Sequence, residues 1–280
     1  MKPAVIAPDA PIDLQMHTTY SDGTWTPEAL MSYLIQEQFG VAAITDHDRV
    51  DQLPALHRLA DDLHCPLLVA VEMTSLWRGE MVDILCFGLD PIENAIGDVC
   101  ATLLHQQQEN TRMAYASLVK QGYVFAEEAL QTVLDLPSSR QPDALGALLR
   151  QQGVSASDVG TLLKEAGADF MMGDPVAIVD AAHRSGALCI LAHPGRHDWP
   201  RPFTEALLDE FRDLVALDGL EAYHALHLPE AIALYEAYAQ KHNLLVSAGS
   251  DSHGPEGRLP IKYRADSCRR LLERLGIAVR

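Results

Sequence analysis

Asp13-Leu14-Gln15-Met16-His17, followed closely by Ser21-Asp22-Gly23, is the stretch whose reading decides the fold. Ile12, Leu14 and Met16 form an apolar run that reads as a strand, and it ends on a histidine where a loop begins. The same event recurs down the chain. Val41 to Thr45 leads into Asp46-His47-Asp48, Leu67 to Met73 carries Glu72, and Met81 to Phe87 carries Asp83. Ala187 to Ala192 delivers His193-Pro194-Gly195-Arg196, Leu220 to Tyr223 delivers His224, and Leu244 to Ser247 leads to Ser250-Asp251-Ser252-His253. Strands that repeatedly end on such side chains, with helices between them, are the layout of a parallel β/α barrel with its chemistry at one mouth.

The helices between these strands carry recognisable start and stop signals. Thr26-Pro27-Glu28 reads as N-cap, first helical residue and first-turn acid, and Gly40 stops that helix. Further helices are expected over 52–63, from 175 to about 185, and over 203–216, 229–242 and 265–275, with a last short strand at Ile277 to Val279. About seven strand–helix pairs result. Between Ile96 and Gly173 the pattern changes to helices alone, at 98–121, 126–134, 142–152 and 156–166. The expected organisation is a barrel segment over 1–95, an all-α insertion over 96–174 and a second barrel segment over 175–280. The opening MKPAVIAPDAP reads as a short disordered leader, too short and Pro-rich for a signal peptide.

The 280 residues carry 21 basic and 39 acidic side chains, a net charge of −18, which argues against a wide basic surface gripping long nucleic acid. Small anionic substrates stay compatible with it, because bound cations reverse the local sign. No apolar run is long enough to cross a bilayer. The five cysteines are irregularly spaced, four of them in apolar sequence, which suits buried thiols in the cytoplasm.

His17, His47, Glu72, Asp83, His193, His224, Asp251 and His253 all lie at or beside strand ends, with Asp22 in the first loop. Mixed imidazole and carboxylate ligands suit Zn, Mn or Fe, and several carboxylates allow a bridged cluster of two or three ions. Such a cluster lowers the pKa of a bound water and clamps a phosphoryl group. His57, His64, His105, His183 and His242 sit in or beside helices and read as structural or solvated, while Trp25, Trp77 and Trp199 read as loop residues that either pack over the mouth or stack on a base.

The run IDLQMHTTYSDGTWTPEAL resembles the opening motif of the PHP-domain phosphoesterases, D-L-H-x-H-S…S-D-G…P. AITDHD, VEMT, LAHPGR and GSDSH follow in that family's order. The resemblance implies a distorted (β/α)7 barrel and, through the helical insertion, the branch that hydrolyses nucleoside bisphosphates or trims short oligoribonucleotides from the 5′ end. It implies metal ligands at His17, Asp22, His47, Glu72, His193, Asp251 and His253, with Glu72 bridging and Arg196 and His224 near the phosphate.

Two ligand positions depart from the motif. Gln15 stands where the family has the first histidine of its opening pair, and Asp83 where it has a later one. In the insertion, Arg140-Gln141-Pro142-Asp143 replaces an Arg-Pro-His run, and its acid opposes a second phosphate. Arg112 reads as a solvated helix-face charge. The expectation is a metal-dependent phosphoesterase with two or three divalent ions (Mn, Fe or Zn). Its mechanism is in-line attack by a metal-activated hydroxide on a small, nucleotide-like phosphomonoester, with Arg196 steadying developing charge and His224 or a bound water protonating the leaving oxygen. Short oligoribonucleotides are a further substrate class. The rival readings are a catalytically degenerate PHP module that binds nucleotide or metal for regulation, and a metal-dependent C–N hydrolase.

Overall fold

The structure, a computed structural model, describes residues 5–198 and 201–280. Trp199 therefore lies outside the described residues. The strands are β1 (Val5–Ile6), β2 (Pro11–Asp13), β3 (Val41–Ile44), β4 (Leu67–Trp77), β5 (Glu80–Phe87), β6 (Leu188–Leu191), β7 (Gly219–His224), β8 (Leu245–Gly249), β9 (Tyr263–Arg264) and β10 (Ala278–Val279). The helices are α1 (Pro27–Gln36), α2 (Leu53–Leu63), α3 (Ile96–Lys120), α4 (Ala129–Leu134), α5 (Gln141–Gln151), α6 (Ala156–Ala166), α7 (Pro175–Arg184), α8 (Glu205–Leu214), α9 (Pro229–His242) and α10 (Arg269–Arg274). Thr26 and Asp174 cap α1 and α7 by accepting from Ala29 and Val176 N–H groups, and Pro27 and Pro175 open those helices. Among the described residues no helix is long and apolar enough to cross a membrane.

Two compact units emerge, residues 1–99 with 173–280, and residues 100–172. In the first, eight strands run in the order β8-β7-β6-β5-β4-β3-β2-β9. The sheet curls until the end of β2 meets the end of β8: Leu14 N donates to Ala248 O, Asp251 N to Gln15 O and His17 N to Ser252 O, each at 2.9 Å. Most neighbours are parallel, as in a β/α barrel, but β5 is antiparallel to both β4 and β6. The cause is local. Arg78 and Gly79 both have positive φ, 54° and 79°. That is the two-residue turn that folds a strand straight back on its neighbour, leaving no room for a crossover helix.

The barrel interior is filled by Ile12, Leu14, Val41, Ala43, Leu85 and Phe87 among others. Because side chains alternate along a strand, Asp83 shares the inward face of Leu85 and Phe87 and so reaches the mouth. The expected disordered leader is corrected. Val5 and Ile6 pair in parallel with Ala278 and Val279, and Ile6 is buried in the barrel core. An apolar pair flanked by prolines looked like a tail because its partner strand lies at the other end of the chain.

The second unit is built on α4–α6 and most of α3, around Leu118, Val133, Leu145, Leu149 and Val159. Gln141 is fully buried there, accepting from Thr111 Oγ1 at 2.8 Å and donating to Leu136 O at 3.0 Å. Pro142 follows it in the first turn of α5, so this stretch reads as a helix start. Arg112 is exposed and pairs with Glu109 one turn earlier on the same helix.

Candidate metal centre

Three sets of strand-end side chains meet at the barrel mouth. His17, Asp22, His47 and His253 bring one donor atom each within 4.8 Å of one another; so do His17, Glu72 and Asp251, and likewise His47, Glu72 and Asp83. His193 Nε2 completes the last set, 3.1 Å from Glu72 Oε1 and 3.7 Å from Asp83 Oδ2. Glu72 thus sits in the middle, facing His17 at 3.0 Å through its other oxygen. The imidazoles of His17 and His253 stack at 4.2 Å, and those of His17 and His47 at 4.5 Å, around the Asp22 carboxylate.

Arg196 and His224 join through Asp251, at 3.5 Å and 3.7 Å from its Oδ2. Arg196 is also held by Asp198 at 2.9 Å. All ten residues picked from the sequence therefore gather in one place.

The backbone is bent to achieve this. Asp48, His193 and Asp251 have φ of 52°, 27° and 55°, a region that non-glycine residues avoid and that costs of order 1–3 kcal/mol each. Buried carboxylates hold these bends by accepting backbone N–H groups from the adjacent loop. Glu221 accepts from His193 N at 2.9 Å, Asp13 from Ser250 N at 2.9 Å and Ile261 N at 2.8 Å, and Asp48 from Thr74 N at 2.8 Å. Asp46 takes Thr18 N at 2.7 Å and Ser21 Oγ at 2.7 Å, fixing the first loop, whose Gly23 has no room for a Cβ (2.5 Å from His17 O). His227 props the HPGR loop: Nδ1 donates to Ala222 O at 2.9 Å and Nε2 accepts from Gly195 N at 3.0 Å. None of Asp13, Glu221 and His227 was assigned a role from sequence, and Asp46, expected to orient His47 or to ligate, instead holds the first loop. The available signal was a charged residue inside or just after an otherwise apolar strand.

The charges are those of a site built for cations. Burial would raise Glu72 and Asp251, but the surrounding imidazoles outweigh it and hold both well below the usual carboxylate range. Burial, then the Glu72 charge, pushes Asp83 up to about 6. Burial opposes charge on His193, yet Glu72 raises it to about 9. His224 is lowered by burial to about 4. Its Nδ1 accepts from Leu226 N at 3.2 Å, so the ring proton belongs on Nε2, which faces the mouth. Among the described residues, Gln15 Oε1, both His17 nitrogens, Asp83 Oδ1 and His224 Nε2 are buried without a hydrogen-bond partner. So many orphaned donor atoms in one mouth fit divalent cations, which would satisfy them.

Searches among known proteins agree with this geometry. No family model matches the chain. It is 28% identical over 250 residues to a 5′-3′ exoribonuclease Rnm of Salmonella typhimurium, covering 87% of this chain and 85% of that one. It is 26% identical over 265 residues to a 3′,5′-nucleoside bisphosphate phosphatase of Chromobacterium violaceum, covering 92% of each. It is 29% identical over 259 residues to a phosphoribosyl 1,2-cyclic phosphate 1,2-diphosphodiesterase of Eggerthella lenta, covering 89% of this chain and 96% of that one. Relatives of three different specificities are each matched over most of their length. The chain is similar to phosphoesterases of all three kinds. The chain also superposes on a solved structure from Bifidobacterium adolescentis assigned as a metal-dependent phosphoesterase, with a TM-score of 0.76 over 96% of this chain and 98% of that one, at 23% identity. That likeness is one of fold.

Proposed function

We propose that this chain is a PHP-type metal-dependent phosphoesterase acting on a small, nucleotide-like phosphomonoester, with His17, Asp22, His47, Glu72, Asp83, His193, Asp251 and His253 holding two or three divalent ions (Mn, Fe or Zn). The observation that carries the reading is the convergence of these donors around Glu72, with orphaned nitrogens and oxygens aimed at common points. Bound ions would supply a water of lowered pKa and a positive clamp for phosphoryl oxygens. Arg196, half-held by Asp198 and Asp251, is positioned at the rim to meet an incoming phosphate. His224 is neutral near pH 7 and carries its proton on Nε2, so it donates a hydrogen bond to a phosphoryl oxygen; its low pKa leaves protonation of the leaving oxygen to water.

A monoester of nucleotide size fits the end-to-end match to a bisphosphate phosphatase, and a net charge of −18 disfavours long polymers. Short oligoribonucleotides are a second substrate class, favoured by the exoribonuclease relatives. All five cysteines are buried thiols outside any disulfide, which fits the cytoplasm. The test is a phosphate-release screen over nucleoside mono- and bisphosphates with ion-loaded protein and its His193→Ala variant. Release that falls at least about a hundredfold in the variant supports the reading; release unchanged by the substitution refutes this site.

A further inference from the structure

Gln15 Oε1 and Glu221 Oε1 are both fully buried and have no hydrogen-bond partner among the described residues. They border the same small space. A Cβ placed on Gly249 would lie 2.4 Å from Glu221 Oε1 and 3.1 Å from Gln15 Oε1. With Glu221 ionised, two acceptors turned to one space leave each without a donor. The other end of the same amide, Gln15 Nε2, stands 2.9 Å from both oxygens of Glu72.

An amide exchanges its oxygen and nitrogen by a half-turn, and its surroundings decide which end faces which way. With no cation beside Glu72, the nitrogen must face the carboxylate, because an oxygen there would be repelled. With a cation in contact with Glu72, that preference reverses. The oxygen then meets the ion, and the nitrogen supplies Glu221 Oε1 with the donor it lacks. The 2.9 Å spacing also suits this, since neighbouring ligands on a six-coordinate ion with bonds of about 2.1 Å stand roughly 3 Å apart. One rotation satisfies both orphaned atoms.

We propose that Gln15 is an oxygen ligand of the ion held by His17, Glu72 and Asp251, and that it makes this position oxygen-rich, with Asp83 adding a second carboxylate at the neighbouring position, selecting a hard ion such as Mn²⁺. This rests on the ion-cluster reading above. The first position then has three oxygens (Gln15, Glu72, Asp251) and one imidazole (His17). The second has two carboxylates (Glu72, Asp83) beside two imidazoles (His47, His193). Asp22, His47 and His253 form a third, imidazole-rich position that suits Zn or Fe. The mouth thereby sorts ions by donor type across a single shared carboxylate.

The experiment is calorimetric titration of chelator-stripped full-length protein with Mn²⁺ and, separately, with Zn²⁺, without substrate. Gln15→Leu keeps the bulk and removes the donors. Loss of about tenfold or more in Mn²⁺ affinity at one position supports the proposal; affinity that is unchanged or higher shows that the amide only hydrogen-bonds Glu72 and overturns it. Asp83→His is an independent arm, should Gln15→Leu not fold. It should shift the ratio of Mn²⁺ to Zn²⁺ affinity at one position at least about tenfold toward Zn²⁺, and an unmoved ratio overturns the selectivity. Ion binding as described without phosphate release from any ester would sink the proposed activity alone. Turnover with unaltered affinities in both variants would sink the ligand assignment alone.

Discussion

His227 makes the HPGR loop acid-sensitive, and the size of the effect follows from its two hydrogen bonds. Nε2 accepts from Gly195 N–H, so it must be unprotonated in the folded chain, and burial lowers this imidazole to about 4. The folded-state pKa is thus depressed below the unfolded value near 6.5. Its contribution to stability is full above pH 6.5, declines as pH falls, and is gone below about pH 4. A displacement of about 2.5 pH units corresponds to about 3 kcal/mol at most. His227→Ala removes the acceptor, leaves Gly195 N–H and Ala222 O buried without it, and costs about 2–4 kcal/mol at pH 7.5. Urea unfolding of both proteins in chelator, at half-unit steps from pH 7.5 to 4.5, gives the difference directly and cancels the other titrating groups. The gap between them should close by up to about 1.4 kcal/mol per pH unit below 6.5. A gap that stays constant across that range would refute the assigned tautomer and the acceptor role of Nε2.

Three more outcomes are expected. Asp13→Ala strips the acceptor from Ser250 N–H and Ile261 N–H, costing about 2–5 kcal/mol in chemical unfolding, with weaker ion binding as the Ser250-Asp251 turn loosens; equal stability would show that water replaces the carboxylate. Gly249→Ala drives a methyl to 2.4 Å from both Gln15 Cβ and Glu221 Oε1, so its midpoint in thermal unfolding should drop by an amount equivalent to about 1–3 kcal/mol. Because Glu72 holds His193 protonated up to about pH 9, cations must displace that proton. Ion affinity should therefore rise about tenfold per pH unit from 7 to 9, with proton release measurable in buffers of different ionisation enthalpy. Affinity independent of pH would remove His193 from the ligands.

The sequence by itself determined the barrel and the residues of its mouth, because both are written locally. An apolar run followed by His, Asp or Glu needs no tertiary contact to be read, and IDLQMH, AITDHD, LAHPGR and GSDSH each place one such edge. The N-cap and proline at Thr26-Pro27 placed α1, and Pro175 placed the start of α7, in the same way. Tertiary structure alone decided what depends on partners far along the chain. Val5 and Ile6 became a strand only because Ala278 and Val279 lie beside them. Asp13, Glu221 and His227 became supports only because the loops at Ser250, His193 and Gly195 fold onto them. Gln15 reads from sequence as a weakened ligand. Its environment adds the physical reason for a choice: a buried amide has two different ends, and Glu72 and Glu221 compete for the same one.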